Sequence, residues 1–322
     1  LFIGNGPRRL SDAGLWTFQD SVFAFNDAGD NPLMSIGFVP GADFIRNRLI
    51  GNVTNGNNRS LITTGEGRQV RVAENLFQGN APAGCIFEIT NAEGLVFSGN
   101  KGYGNSGNIY CARPDDDETV GAWTILDDTW NSHKSLAPKQ ATNGEIPAAV
   151  LLTDTRQNFT LATWKGPIKI DGLSVDVEGG GALVNFAGPD DAVASTVDAA
   201  AQVVEIRNSQ ITSTNDAANT HALTIGSQTS GSALTPTDLS SVFSSRYLPR
   251  WSNLHENGVP VSDWPYATID SADGAACVAT ITDHSQVPIG QRQAINDGNL
   301  AAVTDACDDD ADGILLGADA SG

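Results

Sequence analysis

Short apolar runs alternate with polar bends along most of this chain, and one such phrase returns three times between residues 44 and 105. Each copy has an apolar lead-in, an asparagine, and a Gly-Asn pair whose Asn comes five residues later. The first asparagines are Asn47, Asn75 and Asn100, so the steps are 28 and 25 residues. A period in this range indicates a solenoid, in which each repeat packs only on its neighbours.

A second short apolar run follows each asparagine pair. These runs lie at residues 33–36, 60–63, 85–89 and 109–111. Two or three short strands in every ~25 residues predict an all-β fold, a right-handed single-stranded parallel β-helix, here with a small C-terminal extension. Leucine at fixed short intervals, as in leucine-rich repeats, is absent from the sequence.

The recurring asparagine has a structural explanation. Asn tolerates the left-handed backbone of a tight bend, and stacked Asn side chains can bond to one another along the helix axis. We therefore predict a structural ladder and assign it no catalytic role. Its predicted members are Asn26, Asn47, Asn75, Asn100, Asp171 and Asn208.

Changes of composition divide the chain into four predicted segments. Residues 1–20 are expected to form an N-terminal cap with a short helix, and residues 21–226 the β-helix. Two segments that lack the repeat, 112–147 and 188–202, are expected to be inserted loops. Residues 227–275 are predicted to be an extended cover, and residues 276–322 a disulfide-bracketed acidic tail.

Two tryptophans in the first inserted loop are candidates for ligand contact. Trp123 and Trp130 could stack on sugar rings, as exposed aromatic side chains can. They could equally hold the loop against the wall of the solenoid. The prediction of glycan contact therefore depends on their exposure.

Four cysteines form two sequence-local pairs. Cys85 and Cys111 occupy nearly equivalent places on adjacent predicted coils, a separation that a disulfide can bridge; buried free thiols are the alternative. A second disulfide is predicted between Cys277 and Cys307. Such pairs favour an oxidising compartment, and hence an extracellular or cell-surface location.

The net charge of the chain affects which partners it can bind. The chain has 38 Asp and Glu against 18 Lys and Arg, for a net charge of -20. This surface disfavours nucleic acid, although acidic surfaces also keep exported proteins soluble. No run of about 18 apolar residues occurs, so we predict no membrane insertion.

The acidic tail contains a calcium-loop pattern. Oxygen side chains stand at relative positions 1, 3 and 5, Gly313 at position 6, and a carboxylate at position 12, as in loops that bind calcium. The predicted ligands are Asp308, Asp310, Asp312 and Asp319.

Two families resemble parts of this chain. Residues 21–226 resemble the parallel β-helix of the pectate-lyase-like superfamily, which includes polysaccharide lyases, glycoside hydrolases, tailspikes and adhesins. Residues 305–313, Asp-Ala-Cys-Asp-Asp-Asp-Ala-Asp-Gly, look like a thrombospondin type-3 repeat. That resemblance implies calcium bound by Asp308, Asp310 and Asp312.

Two functions remain open at this level. The first is an exported structural or adhesive protein, such as a fibre, filament or spike subunit, whose partner is an extracellular polysaccharide or further copies of itself. The alternative is a polysaccharide lyase or glycoside hydrolase. Arg46, Arg48, Glu74 and Lys101 lie near the turns, but they match no catalytic motif, and no catalytic residue is assigned.

Overall fold

The computed structural model describes fourteen segments of the chain. They are residues 2–3, 16–37, 41–56, 60–65, 69–90, 94–112, 120–137, 147–152, 164–186, 202–217, 220–225, 247–261, 266–271 and 277–282. This part contains 25 β-strands and no α-helix. Short β-branched and aromatic runs bounded by Gly, Asn and Asp produce this pattern.

The coils stack their strands into three parallel walls, formed by an eight-stranded sheet and by the two arms of a fifteen-stranded sheet; we call the arms sheets 1 and 2 and the eight-stranded sheet sheet 3. Sheet 1 contains β2 (Trp16–Gln19), β5 (Ala42–Ile45), β8 (Val70–Ala73), β11 (Leu95–Ser98), β14 (Val120–Leu126), β17 (Trp164–Asp171), β20 (Gln202–Ser213) and β22 (Tyr247–Glu256). Sheet 2 contains β3 (Val22–Ala24), β6 (Arg48–Ile50), β9 (Leu76–Gln78), β12 (Lys101–Tyr103), β15 (Thr129–His133) and β18 (Ser174–Val177).

Sheet 3 forms the third wall. It contains β1 (Phe2–Ile3), β4 (Met34–Gly37), β7 (Ile62–Gly65), β10 (Cys85–Ile89), β13 (Asn108–Ala112), β16 (Ala148–Leu152), β19 (Gly181–Phe186) and β21 (Thr220–Ile225). Sheets 1 and 2 join at β20, which pairs with both β17 and β18. Outside the three walls, β23 (Val259–Val261) pairs antiparallel with β22, and β24 (Tyr266–Ser271) pairs antiparallel with β25 (Cys277–Thr282).

The core is a stack of apolar side chains that repeats from coil to coil. We number the coils from β2, so coil 1 begins with β2 and coil 8 with β22. One in-register column in sheet 1 consists of Phe18, Phe44, Val72, Phe97, Ile125, Ile170, Ile206 and Trp251. Strand alternation brings this column inward in every coil. The predicted fold class, a parallel β-helix, is confirmed.

The predicted inserted loop at 112–147 is wrong over residues 120–133. There β14 and β15 pair in parallel with the strands of the preceding coil and form coil 5. The physical reason is burial: Trp123 and Ile125 are fully buried in the column that continues Leu95 and Phe97.

Two other expectations change as well. The predicted cap at 1–20 includes β2, whose residues pair with β5 as an ordinary coil strand. Within the predicted cover at 227–275, β22 pairs in parallel with β20 and adds another coil instead of covering the outside. The predicted loop at 188–202 and the tail after residue 282 lie outside the described residues, apart from Gln202, the first residue of β20.

Candidate functional site

The turn from each sheet 1 strand to the following sheet 2 strand is built on one residue with a left-handed backbone. The φ values run from 48° to 74° at Asp20, Arg46, Glu74, Gly99, Asp127, Gly172, Asn208 and Asn253. This conformation turns the chain sharply between two short strands. The residue after each of these positions is therefore brought to the same place in successive coils.

A buried asparagine occupies that place in coils 2, 3 and 4, and Asn75 is the central one. Its Oδ1 accepts hydrogen bonds from the backbone N–H and the side-chain amide of Asn47, at 2.8 and 3.1 Å. Its Nδ2 donates to the carbonyl of Phe44 at 2.8 Å and to Oδ1 of Asn100 at 3.0 Å. All four bonding capacities of the buried amide are used, which makes this first ladder a structural element.

A second ladder runs along the next turn, after the sheet 2 strands. Its members are Asn26, Asn52, Asn80 and Asn105. Asn80 accepts from the backbone and side-chain amides of Asn52 at 3.0 and 2.9 Å, and donates to Leu49 O and to Asn105 Oδ1. Each coil from 2 to 4 is therefore fastened to its neighbours at both ends of its sheet 2 strand.

The composition of the predicted ladder needs correction. Asn26 belongs to the second ladder, because Val22 pairs with Arg48 and Ser21 therefore holds the place that Asn47 holds in coil 2. Asp171 and Asn208 lie outside the core. There, Asn208 Nδ2 donates to Asp171 Oδ1 at 2.8 Å, and Asn253 Nδ2 donates to Asn208 Oδ1 at 2.9 Å, both in exposed positions.

The first ladder ends at Asp128, a buried carboxyl group that the sequence patterns did not single out. Its Oδ1 accepts from the backbone N–H of Asn100 at 2.6 Å, and its Oδ2 accepts from the Tyr110 hydroxyl. Burial raises the pKa of Asp128 to about 6, while the bonds from Tyr110 and Asn100 act in the opposite direction. The available signal was an Asp 28 residues after Asn100, at the ladder period.

His133 occupies the equivalent place at the end of the second ladder. Lys134 N donates to Asn105 O, as Ser106 N does to Asn80 O in the preceding coil. The His133 ring lies fully buried with Nε2 2.7 Å from the Gly107 carbonyl. Burial lowers its pKa to about 4, so this imidazole is neutral at pH 7.

The predicted glycan contacts of Trp123 and Trp130 are wrong, because both side chains are fully buried. The Trp130 ring lies 5.5 Å from that of Phe77 and 6.1 Å from that of Tyr110. Gly102, one coil earlier, leaves the space for this indole: a Cβ there would lie 1.9 Å from the Trp130 ring. Both tryptophans therefore serve the core.

One of the two predicted disulfides lies in the described residues. Cys85 and Cys111 are bonded, with their Cα atoms 6.1 Å apart, and the bond joins coils 3 and 4. Both sulfurs are buried beside Ala148, Leu151 and Ala182. The partner predicted for Cys277, Cys307, lies outside the described residues.

The predicted calcium ligands Asp308, Asp310, Asp312 and Asp319 also lie outside the described residues. Within the described ranges, no cluster of three or more His, Cys, Asp or Glu side chains could hold a metal ion. Calcium binding by the tail stays a prediction.

The charged residues considered for catalysis lie on the outer surface, and two of them, Arg46 and Glu74, occupy the same turn position in adjacent coils and interact electrostatically. Arg46 forms an exposed ion pair with Asp20 at 2.9 Å, and its hydrogen bond lowers the pKa of that carboxyl. Arg48 and Lys101 project from sheet 2, in one column with Leu76 between them. Glu74 lies on the first turn. This arrangement holds no pair of facing carboxylates.

A half-buried acid–base pair lies near the last coil. His221 Nδ1 is 3.8 Å from Glu256 Oε1, and Glu256 Oε2 accepts a hydrogen bond from Ala222 N at 2.6 Å. The contact with Glu256 raises the pKa of His221. The pair ties β21 to β22.

Among the described residues of the first four coils, the most exposed large apolar side chains lie on the outer face of sheet 2. Val22, Phe25 and Tyr103 are 60%, 80% and 56% exposed. Gln78, Tyr103 and Asn131 lie in register in three successive coils. Sequence patterns did not single out this face, because its residues are spread over four coils.

Comparison with known proteins gives no relative: no family model, curated protein or solved structure matches this chain. The parallel β-helix is therefore established by its strand pairing, and the likeness to the two families stays a prediction. Among the described residues, no helix has the length and apolar character needed to cross a membrane.

Proposed function

We propose that this chain is an exported structural or adhesive protein, a stiff β-helical rod that presents its outer sheets to an extracellular polysaccharide or to further copies of itself. The observation that carries the proposal is the pair of buried asparagine ladders. They connect coils 1–5 through amides whose hydrogen bonds are mutually supporting. Satisfied buried networks of this kind make a structure rigid.

The Cys85–Cys111 bond supports the proposed location outside the cell. Disulfides persist in oxidising compartments and are rare in the cytosol. The net charge of -20 also supports this location, because acidic surfaces keep exported proteins dispersed.

The proposal includes calcium bound by the acidic tail, through Asp308, Asp310, Asp312 and Asp319. Carboxylates spaced in this way suit a hard cation that prefers oxygen ligands. Calorimetric titration of the chelator-treated chain with calcium chloride tests it, with the double substitution Asp310→Asn and Asp312→Asn as the comparison. We expect saturable heat of binding in the parent and none in the variant. Equal heats in both would show that Asp310 and Asp312 do not bind calcium.

The main test is an assay for polysaccharide breakdown beside one for binding and assembly. Alginate, pectate and chondroitin sulfate are incubated with the full chain, and new unsaturated ends and reducing ends are measured. We expect no product above the buffer level, together with retention on a polysaccharide or filaments in electron micrographs. Product that increases in proportion to protein, and that is lost in Arg48→Ala or Glu74→Ala, would replace the structural role with the enzymatic alternative.

A further inference from the structure

A continuous strip on the outer face of sheet 2 differs in character from the rest of the chain. We call it the sheet 2 strip, and it comprises the outward positions of β3, β6, β9 and β12 with the turn residue that follows each strand. Its residues are Val22, Ala24, Phe25, Arg48, Ile50, Gly51, Leu76, Gln78, Gly79, Lys101, Tyr103 and Gly104.

The sheet 2 strip has no carboxylate. Its only charged residues are Arg48 and Lys101, whereas the whole chain has a net charge of -20. Its apolar side chains are exposed instead of being turned into the core, above all Phe25 and Tyr103. Exposed apolar side chains that lie together and are bordered by polar residues often mark an interaction site.

Two aromatic rings are held at separate levels of the sheet 2 strip. The Phe25 ring extends over coil 2, where a Cβ at Gly51 would lie 2.8 Å from it. Tyr103 belongs to coil 4, in register with Gln78 of coil 3. Two coil spacings, about 10 Å, therefore separate the two rings along the axis.

Polar side chains with unused bonding capacity surround Tyr103. The side chains of Gln78, Lys101 and Asn131 make no hydrogen bond or ion pair within the described ranges. Beside Tyr103, the turn positions are Gly79 and Gly104, and a Cβ at either would meet no atom within 4 Å. The ring therefore stands beside open space, with the amide side chains of Gln78 and Asn131 in the two neighbouring coils and Lys101 on its own strand.

We propose that the sheet 2 strip binds an extended neutral polysaccharide, with Tyr103 and Phe25 as stacking platforms. Gln78 and Lys101 of the strip, and Asn131 of the adjoining strand β15, bond to hydroxyl groups. Aromatic faces pack against the C–H faces of sugar rings, and amides serve hydroxyls as both donor and acceptor. This binding rests on the proposed adhesive function and names its partner.

Charge decides between this occupant and two others. A carboxylated polysaccharide or a second copy of this chain would bring negative charge towards a protein whose net charge is -20, and the two cations of the strip offset only a small part of that repulsion. A neutral polymer meets no such repulsion. The flat, open face of a short-stranded sheet also suits an extended chain, because no side chain blocks its path at Gly79 or Gly104.

Affinity electrophoresis of the full chain tests the proposal, with galactomannan, xylan and hydroxyethylcellulose as neutral probes and polygalacturonate as the anionic probe. We expect retardation by at least one neutral probe, with affinity at least fivefold lower in Tyr103→Ala and in Phe25→Ala. Tyr103→Phe keeps the ring and is expected to keep most of the binding. Leu126→Ala removes an apolar side chain that is 38% exposed on sheet 1, away from the strip, and serves as the control.

Three results would overturn the proposal. They are the absence of retardation by every neutral probe, retardation by polygalacturonate alone, and equal losses in Tyr103→Ala and Leu126→Ala. Sedimentation velocity of the same variants adds a further one: dimers that Tyr103→Ala dissociates would assign the strip to self-association. Each of these outcomes leaves the adhesive function open, whereas product release in the breakdown assay would remove that function independently.

Discussion

Coils 1–5 and coils 6–8 are joined to their neighbours by different interactions. In coils 1–5, which we call the regular coils, corresponding residues are 26, 28, 25 and 28 positions apart. In coils 6–8, the expanded coils, the steps are 45, 36 and 45. The place of the first ladder is held there by Leu173, Ser209 and Leu254, all buried.

The difference shows what the buried asparagine contributes. In the regular coils, amides inside the turn bond to both neighbouring coils. In the expanded coils the amide pairing moves outward by one or two residues, to Asp171, Asn208 and Asn253, where water competes. The interior position is then apolar at Leu173 and Leu254, where packing replaces hydrogen bonding, and only Ser209 keeps a polar group there, which accepts from Leu173 N. The regular coils are therefore expected to be the more sensitive to polar substitutions.

The largest expected effect comes from Asn75→Ala. The change leaves the Phe44 carbonyl, the Asn47 amides and Asn100 Oδ1 each short of a partner in the core, for a loss of about 4 kcal/mol in unfolding free energy. Urea denaturation followed by circular dichroism measures it. Ser209→Ala, in an expanded coil, is the matched variant and should cost about 1 kcal/mol. Equal losses would contradict the contrast between the two regions.

Removal of the disulfide should loosen the regular coils locally. Cys85 and Cys111 are 26 residues apart, and closing a loop of that size contributes about 3 kcal/mol in the chain-entropy account. Hydrogen exchange of the double alanine variant should show faster exchange in β10 and β13. Exchange in β18 and β20 should stay as in the parent, because coils interact mainly with their neighbours; a uniform acceleration would argue against that.

Asp128 gives the regular coils a pH dependence. Its pKa is raised in the folded state from 3.8 to about 6. The protonated form is therefore favoured by folding, and this contribution is complete below pH 3.8 and lost as the pH rises through 6. The loss amounts to about 3 kcal/mol.

Asp128→Asn should remove this loss, so its stability relative to the parent should increase between about pH 4 and pH 6. Denaturation curves across that range measure the difference. Asp43→Asn, on the outer face of sheet 1, controls for the change of net charge. If the unfolding free energies of the parent and of Asp128→Asn changed with pH in the same way, folding would not raise the pKa of Asp128.

The smallest effect is expected at Gly102. A Cβ there would meet the Trp130 ring at 1.9 Å, so Gly102→Ala should destabilise the regular coils by about 2 kcal/mol through overpacking. Gly179→Ala, in an expanded coil, meets no atom within 4 Å and should be close to neutral. Thermal melting of the two variants makes the comparison, and a stable Gly102→Ala would show that the indole can move aside.

Local sequence predicted the regular coils best. Asn47, Asn75 and Asn100 were placed in one ladder because their spacing reflects a nearly constant coil length. Asp128 was missed, since an Asp replaces the Asn and the surrounding residues lack the Gly-Asn pair. The outward positions of Asp171 and Asn208 were missed because these residues lie two and one positions before the ladder places Leu173 and Ser209, and spacing alone does not distinguish neighbouring positions.

The sequence by itself determined that this chain coils into parallel strands, because period, turn residues and apolar alternation are local properties. Only the tertiary structure decided which asparagines share a ladder, that Trp123 and Trp130 lie in the core, and that Tyr103 faces solvent. Those outcomes depend on the register between coils about 25 residues apart. The sheet 2 strip is likewise a product of register, since its residues become neighbours only when four coils are stacked.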